Sequence, residues 1–154
     1  MKKFFIALVM CLFAISANAL NGWTPITIDG DELKGTTSYV VYNYDTGEGC
    51  LGFYDSTTIL VIMSDRGIFD YDTYDYVKGV VIGLYDAKGK LIERVETPTD
   101  RTFRVSNHGK AAFCTRNDVN SRVVEYIKNN KGYVRIIADK YSGSDFDVKV
   151  PCMK

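Results

Sequence analysis

Carboxylates and tyrosines are concentrated in one segment of this chain, residues 65–76 (DRGIFDYDTYDY). Four aspartates at such close spacing could surround a calcium ion with oxygen ligands. Counting from Asp70 as the first ligand, however, puts Tyr74 at the fifth position and Asp75 where the EF-hand loop requires glycine. We therefore predict no metal ligands and no cofactor in this segment.

Two further kinds of chemistry use the same residue types. Glycoside hydrolysis needs two carboxyl groups, one protonated with a raised pKa and one ionised, but nothing in the sequence identifies which aspartate would be protonated. Tyrosine rings beside carboxylates also suit recognition, because a ring buries a large area at low entropic cost and a carboxylate orients a polar partner. We predict no catalytic residue and a ligand-binding loop that consists of Asp65, Asp70, Tyr71, Asp72, Tyr74 and Asp75.

His108 is the only histidine, so a cysteine–histidine nucleophile pair would have to join it to Cys114. If one strand carried both residues, steps of about 3.3 Å would separate them by about 20 Å, too far for a hydrogen bond. Asn107 and Gly109 flank His108, which is typical of a turn. Cys114 follows apolar residues, which indicates a buried, unreactive thiol. The sequence thus favours structural roles for both residues.

The elements that position these residues are mostly short strands. Residues 37–44 are β-branched and aromatic, and residues 59–63 (ILVIM) form a continuous apolar run that predicts a strand at the centre of the fold. Residues 77–85 and 91–95 flank a polar loop with Gly89, which predicts a hairpin. A second hairpin is predicted by two alternating strands, whose apolar faces are Val134, Ile136 and Ala138, and Phe146, Val148 and Val150.

One segment has helical periodicity. Val119, Val123, Tyr126 and Ile127 form an apolar stripe along a helix, with Asp118 as its N-cap and Gly132 after its end. We therefore expect a mainly β (α+β) fold: an antiparallel β-sandwich or barrel-like sheet with one amphipathic helix in the C-terminal half.

Residues 1–19 have the pattern of a secretory signal peptide, because Lys2 and Lys3 precede an apolar run that ends in a small-residue cleavage site (ANA). The run is too short to span about 30 Å of hydrocarbon, so we expect no transmembrane segment after cleavage. Cys11 lies inside the run and should be removed, which predicts no lipid anchor. Residues 20–154 are then expected to form a single secreted β-rich domain, periplasmic or extracellular.

The formal net charge is zero, which argues against non-specific nucleic-acid binding. The charges are nevertheless segregated: residues 20–76 contain ten acidic and two basic side chains, whereas residues 77–154 contain nine acidic and fifteen basic ones. Such segregation either orients partners or disappears when the two halves interleave in one sheet.

Three cysteines follow residue 19, and an oxidising compartment permits one disulfide among them. Cys114 is expected to be buried, whereas Cys50 follows a turn-like stretch and Cys152 lies near the end of the sequence. We therefore predict a disulfide between Cys50 and Cys152.

Together these features predict a secreted, non-enzymatic recognition module that binds a protein or an envelope glycan outside the cytoplasm. Two alternatives stay open: a small hydrolase that uses carboxylates, and a purely structural or inhibitory envelope protein. The sequence identifies neither the partner nor the oligomeric state.

Processing tests the predicted location directly. Mass spectrometry of the exported protein should find an N-terminus at Leu20, because cleavage follows the small residues of the signal peptide. A lipidated Cys11, or an uncleaved chain that stays in the membrane, would contradict this prediction.

Overall fold

The computed structural model describes residues 21–29, 36–43, 49–54, 58–95 and 101–154. The strands are β1 (Thr24–Asp29), β2 (Thr36–Asn43), β3 (Gly49–Tyr54), β4 (Leu60–Ser64), β5 (Val81–Tyr85), β6 (Leu91–Val95), β7 (Phe103–Ser106), β8 (Ala111–Cys114), β9 (Tyr133–Ala138) and β10 (Phe146–Pro151). A short 3₁₀ turn (Asn107–Gly109) precedes β8, and helix α1 (Asn117–Asn129) follows it. Residues 1–19 lie outside the described residues, so the signal peptide stays a prediction.

Two antiparallel sheets make up most of the described structure. The first has six strands in the order β1-β2-β3-β4-β8-β7, and the second has four in the order β10-β9-β5-β6. Both sheets and α1 contribute side chains to one hydrophobic core. The predicted mainly β (α+β) fold with one helix in the C-terminal half is therefore confirmed. No helix within the described residues is long and apolar enough to cross a membrane.

The apolar pattern of each strand matches its place in the sheets. β4 is buried along its whole length and lies between β3 and β8, as its continuous apolar run predicted. In β9 and β10 buried residues alternate with more exposed ones, and the two strands pair in register with Val148 opposite Ile136. The hairpin of β5 and β6 is also present, so both predicted hairpins are confirmed.

The first strand of the β5–β6 hairpin is shorter than predicted, since it begins at Val81 and not at Val77. Gly79 has a φ of +64°, and a β-carbon there would lie 2.1 Å from Asp139 Oδ1. The chain therefore turns at Gly79, where only glycine leaves room for the Asp139 carboxylate.

Helix α1 carries the predicted stripe, because Val119, Val123, Tyr126 and Ile127 are all buried. The predicted N-cap at Asp118 is wrong, since Arg116 occupies the cap position and makes no side-chain capping bond. Asp118 lies in the first turn and accepts a hydrogen bond from Arg116 Nε at 3.0 Å. The negative charge of Asp118 still stabilises the N-terminal end of the helix, because the unpaired N–H groups there carry partial positive charge.

The helix is hydrogen-bonded to both sheets. The buried amide of Asn120 accepts a bond from Leu60 N–H at 2.9 Å and donates one to the Cys114 carbonyl at 3.1 Å, at the start of β4 and the end of β8. Towards the second sheet, Arg122 Nε donates to Glu93 Oε2 at 2.9 Å, and the Tyr126 hydroxyl donates to the Tyr85 carbonyl at 2.9 Å. Helix α1 thus links the first sheet to the second.

The chain after α1 passes very close to β5. A β-carbon at Gly132 would lie 1.7 Å from the backbone oxygen of Tyr85, so a larger residue there would push the backbone away. Gly132 does follow the helix as predicted, and this close approach is the physical reason for its small size.

Residues 65–80, which we call the crossing segment, run from β4 in the first sheet to β5 in the second. Towards the first sheet, Val77 N–H donates to the Phe103 carbonyl at 2.8 Å, and Val105 N–H donates to the Asp75 carbonyl at 2.7 Å. Towards the second sheet, Asp70 N–H donates to the Asp139 carbonyl at 2.9 Å. The backbone of the crossing segment is therefore bonded to both sheets.

The cysteine arrangement differs from the prediction. Cys114 and Cys152 are buried and carry free thiols, so the predicted Cys50–Cys152 disulfide is not seen in the structure. Cys152 lies in the hydrophobic core, and its N–H donates to the Gly132 carbonyl at 2.8 Å. The side chain of Cys50 lies outside the described residues.

The amide of Asn120 gives a test of the helix–sheet connection. Asn120→Ala should lower the free energy of unfolding by about 1–3 kcal/mol, because it leaves buried backbone groups of β4 and β8 without a partner. Asn129→Ala, an exposed position on the same helix, is the matched control and should change stability by no more than about 0.5 kcal/mol. Equal urea midpoints for the two variants would contradict the assigned role of Asn120.

Candidate functional site

Large apolar side chains are well exposed at only two places in the described residues. One place is the crossing segment and the loop after β9 that is hydrogen-bonded to it, which together carry Ile68, Tyr74 and Tyr141; the two tyrosines are 63% and 60% exposed. The other holds Leu91 and Ile92 on β6. Because clusters of exposed apolar side chains mark interaction surfaces more often than single ones do, the first cluster is a candidate site, and it includes part of the predicted ligand-binding loop.

Three separate parts of the chain meet at this first place. Phe69 N–H donates to the Gly109 carbonyl at 2.9 Å, and Tyr141 N–H donates to the Ile68 carbonyl at 3.1 Å. Gly109 has a φ of +82°, and a β-carbon there would lie 2.3 Å from Ile68 Cγ2. The crossing segment, the 3₁₀ turn and the loop after β9 are thus packed closely together.

The exposed rings make specific contacts on this surface. Tyr71 and Tyr141 meet edge to face, with ring centroids 5.6 Å apart and planes at 74°. The Arg101 guanidinium carbon lies 4.8 Å from the centre of the Tyr74 ring. We call the side chains of Ile68, Tyr71, Tyr74 and Tyr141, which these hydrogen-bonded loops carry, the tyrosine platform.

Asp72 shapes the turn that carries Tyr74. Its Oδ1 accepts hydrogen bonds from the N–H groups of Tyr74 and Tyr76, at 2.8 and 3.0 Å. The bond from Tyr76 is the main cause that lowers the pKa of Asp72 below its usual value, although partial desolvation opposes the change. Asp72 therefore fixes the conformation of the loop and stays ionised, whereas a general acid needs a raised pKa.

The other predicted carboxylates have different surroundings. Asp70 forms an ion pair with Lys78, whose Nζ lies 3.3 Å from Asp70 Oδ1. Asp65 and Asp75 are exposed, and Asp75 has a φ of +67°. The structure thus pairs Tyr71 with Tyr141 and Tyr74 with Arg101, gives Asp70 and Asp72 internal partners, and leaves Asp65 and Asp75 exposed. Within the described residues, no group of three or more His, Cys, Asp or Glu side chains could hold a metal ion.

His108 and Cys114 do not form a nucleophile pair. His108 is exposed in the 3₁₀ turn with a φ of +54°, as its predicted position in a turn implies, whereas Cys114 ends β8. The Cys114 thiol donates to the Arg116 carbonyl at 3.6 Å, and burial raises the pKa of the thiol to about 11. A thiol with such a pKa is protonated at neutral pH and is a poor nucleophile.

Sequence reasoning missed two members of the platform. Tyr141 belongs to a loop that the sequence presented only as a hairpin connection, and Ile68 lies between the predicted binding residues. Both reach the surface through contacts between distant parts of the chain, which no local pattern reports. The Tyr141 loop carried one weak signal, since an aromatic residue in a polar loop has little reason to be there for packing.

Comparison of the chain with protein-family models gives no match, and comparisons with curated proteins and with solved structures give no significant match.

The role of Asp72 can be tested through the turn that it holds. Asp72→Ala should speed amide hydrogen exchange at Tyr74 and Tyr76, because both N–H groups lose their acceptor. Asp72→Asn keeps an acceptor oxygen and should show a smaller effect.

The lowered pKa also sets the direction of the pH dependence. The stabilisation from ionised Asp72 is present above the pKa of the unfolded chain and is lost as pH falls through the lower folded value. Protection of the Tyr74 and Tyr76 amides, measured relative to the intrinsic exchange rate at each pH, should therefore be lost only at strongly acidic pH. Asp65→Ala, at an exposed carboxylate of the same segment, is the control and should leave exchange at both amides unchanged; an equal effect of both variants would contradict the role of Asp72.

Proposed function

We propose that this chain is a secreted recognition module that binds a protein or an envelope glycan through the tyrosine platform. The observation that carries the proposal is the exposure of Ile68, Tyr74 and Tyr141 on loops whose backbones are hydrogen-bonded to one another and to both sheets. Exposing these side chains to water costs free energy, and a partner that covers them would recover it.

The platform has the composition of a binding surface. Tyrosine and arginine are over-represented among the residues that contribute most to binding energy, and these loops carry two such contacts, Tyr71 with Tyr141 and Arg101 with Tyr74. The edge-to-face contact of Tyr71 with Tyr141 fixes the orientation of both rings, so little conformational entropy is lost when a partner covers them.

The carboxylates support recognition better than hydrolysis. Asp72 is held ionised by backbone N–H groups, so it lacks the environment that would keep a catalytic carboxyl group protonated, and Asp70 is paired with Lys78. Both instead stabilise the shape of the loop.

The proposal is tested by the double variant Tyr74→Ala/Tyr141→Ala. Binding to an array of envelope glycans, or photo-crosslinking to a protein from a probe at position 141, should identify the partner of the unaltered chain. The double variant should bind that partner about a hundredfold more weakly, since two anchor residues that each contribute about 1.4 kcal/mol together contribute about 2.8 kcal/mol.

Two controls make the result specific. Leu91→Ala removes an exposed apolar side chain from β6, outside the tyrosine platform, and should leave binding to this partner unchanged. A probe at Glu125, on the exposed face of α1, should capture nothing. Unchanged binding by the double variant, or equal crosslinking from positions 125 and 141, would contradict the proposal.

A further inference from the structure

The second exposed apolar place is on the hairpin of β5 and β6. Leu91 and Ile92 are 48% and 53% exposed, and they are adjacent on β6, the edge strand of the four-stranded sheet. The exposed apolar pair does not overlap the tyrosine platform, which involves other loops. Adjacent exposed aliphatic residues on an edge strand are unfavourable for a chain that stays alone in water, because they invite association.

The charges of this hairpin that remain available to a partner are all positive. Lys88, Lys90 and Arg94 are exposed, and within the described residues none of them has an ion-pair partner. The two acidic side chains of the same hairpin have internal partners. Asp86 Oδ1 accepts bonds from the N–H groups of Lys88 and Lys90, each at 2.9 Å, and Glu93 pairs with Arg122 of the helix.

Aromatic rings and a further cation extend the apolar pair across the sheet. Tyr85 is the register partner of both Leu91 and Tyr133. The Tyr85 and Tyr133 rings are stacked with centroids 4.6 Å apart, and Lys149 Nζ lies 5.4 Å from the centre of the Tyr133 ring. These residues are on the outer side of the sheet, because the intervening Leu84 and Val134 are fully buried.

Strand β10 contributes one acidic side chain near these rings, Asp147, and it is paired with a cation. Asp147 accepts a hydrogen bond from Arg135 Nε at 2.8 Å. Glu93 reaches the helix on the inner side, so its neighbour Ile92 is on the outer side, and the register shift opposite Tyr85 brings Leu91 to the same side. The outer end of the sheet therefore presents two aliphatic side chains and two tyrosines with cations around them. We call this surface the hairpin patch.

We propose that the hairpin patch binds the surface of an anionic phospholipid bilayer. Leu91 and Ile92 enter the boundary between headgroups and acyl chains, the tyrosines lie at headgroup level, and Lys88, Lys90, Arg94 and Lys149 face the lipid phosphates. An acidic polysaccharide would use the cations but would give the aliphatic pair no apolar environment. A β-strand partner would cover the pair but would not require cations on both sides of it.

The geometry of β9 relates the two surfaces. Tyr133 begins β9 at the hairpin patch, and Ala138 ends β9 just before the loop that carries Tyr141. At about 3.3 Å per residue, the two ends of β9 are about 17 Å apart. When the hairpin patch lies on a bilayer, the tyrosine platform is at the far end of the second sheet and remains accessible from the aqueous side.

The test uses the processed chain, with its N-terminus verified, and sedimentation with lipid vesicles. Vesicles of phosphatidylcholine with one third phosphatidylglycerol should bind the protein, binding should fall as salt is added, and pure phosphatidylcholine vesicles should bind it weakly. Because a cation near an anionic surface changes the partition coefficient roughly fivefold, Lys88→Gln/Lys90→Gln should reduce it by about 25-fold. Leu91→Ser/Ile92→Ser should reduce it at least tenfold at every salt concentration.

Matched controls lie on other surfaces. Lys110→Gln removes an exposed cation before β8, and Ile68→Ser removes the exposed aliphatic residue of the tyrosine platform; neither should change vesicle binding. All these side chains are exposed, so circular dichroism should show unchanged melting for each variant. As a positive readout of insertion, the fluorescence of Ile92→Trp should be quenched by brominated anionic lipids.

Several results would overturn the proposal. They are the absence of binding to anionic vesicles, equal binding by the hairpin variants, and retention on a sulfated polysaccharide without vesicle binding. Because the platform variants and the hairpin variants are read in separate assays, failure here leaves the proposed recognition function to its own test.

Discussion

The arrangement of this structure depends on the backbone hydrogen bonds of the crossing segment. Two sheets that share a core still need something that fixes their relative position, since hydrophobic burial alone is not directional. Residues 65–80 provide this, because Val77 is bonded to β7 in one sheet and Asp70 to Asp139 beside β9 in the other. Helix α1 adds a second connection through Asn120 and Arg122.

The same segment carries most of the candidate site, and this has a physical reason. Because the polar backbone groups of this segment are bonded to neighbouring elements, only some of its side chains are needed for stability. Phe69, Val77 and Val80 are buried in the core, and Phe69 packs against Phe146 with ring centroids 5.1 Å apart. Tyr74 and Ile68 on the same segment point into solvent. The backbone of such a loop is held in place by hydrogen bonds, while its exposed side chains remain free to contact a partner.

The sequence was a good guide to elements and a poor guide to contacts between them. Periodicity identified β4, β9, β10 and the buried stripe of α1, because each pattern follows from burial on one or two faces of a regular element. The helix N-cap was misassigned because an acidic residue is equally favourable in the first turn, where the structure places Asp118.

The membership of the tyrosine platform could not be read from any window of the sequence. Tyr71 and Tyr141 are distant in the chain, and they meet because the loop after β9 bonds to Ile68. Asn120 is a comparable case, since a polar residue next to an apolar helical stripe gives no sign that it will be buried. Its amide becomes necessary only when β4 and β8 end beside the helix. In both cases the information lies in the topology of the sheets.

The charge segregation along the sequence has two different outcomes in space. At the crossing segment it is reduced at Asp70, which pairs with Lys78, whereas Asp65 and Asp75 remain exposed. At the β5–β6 hairpin it persists, because Asp86 and Glu93 are used by a turn and by the helix while the neighbouring cations are not. Net charge therefore says little about either surface. What distinguishes them is which acidic groups the fold has already engaged: exposed carboxylates remain on the segment of the tyrosine platform, whereas exposed cations remain around the hairpin patch.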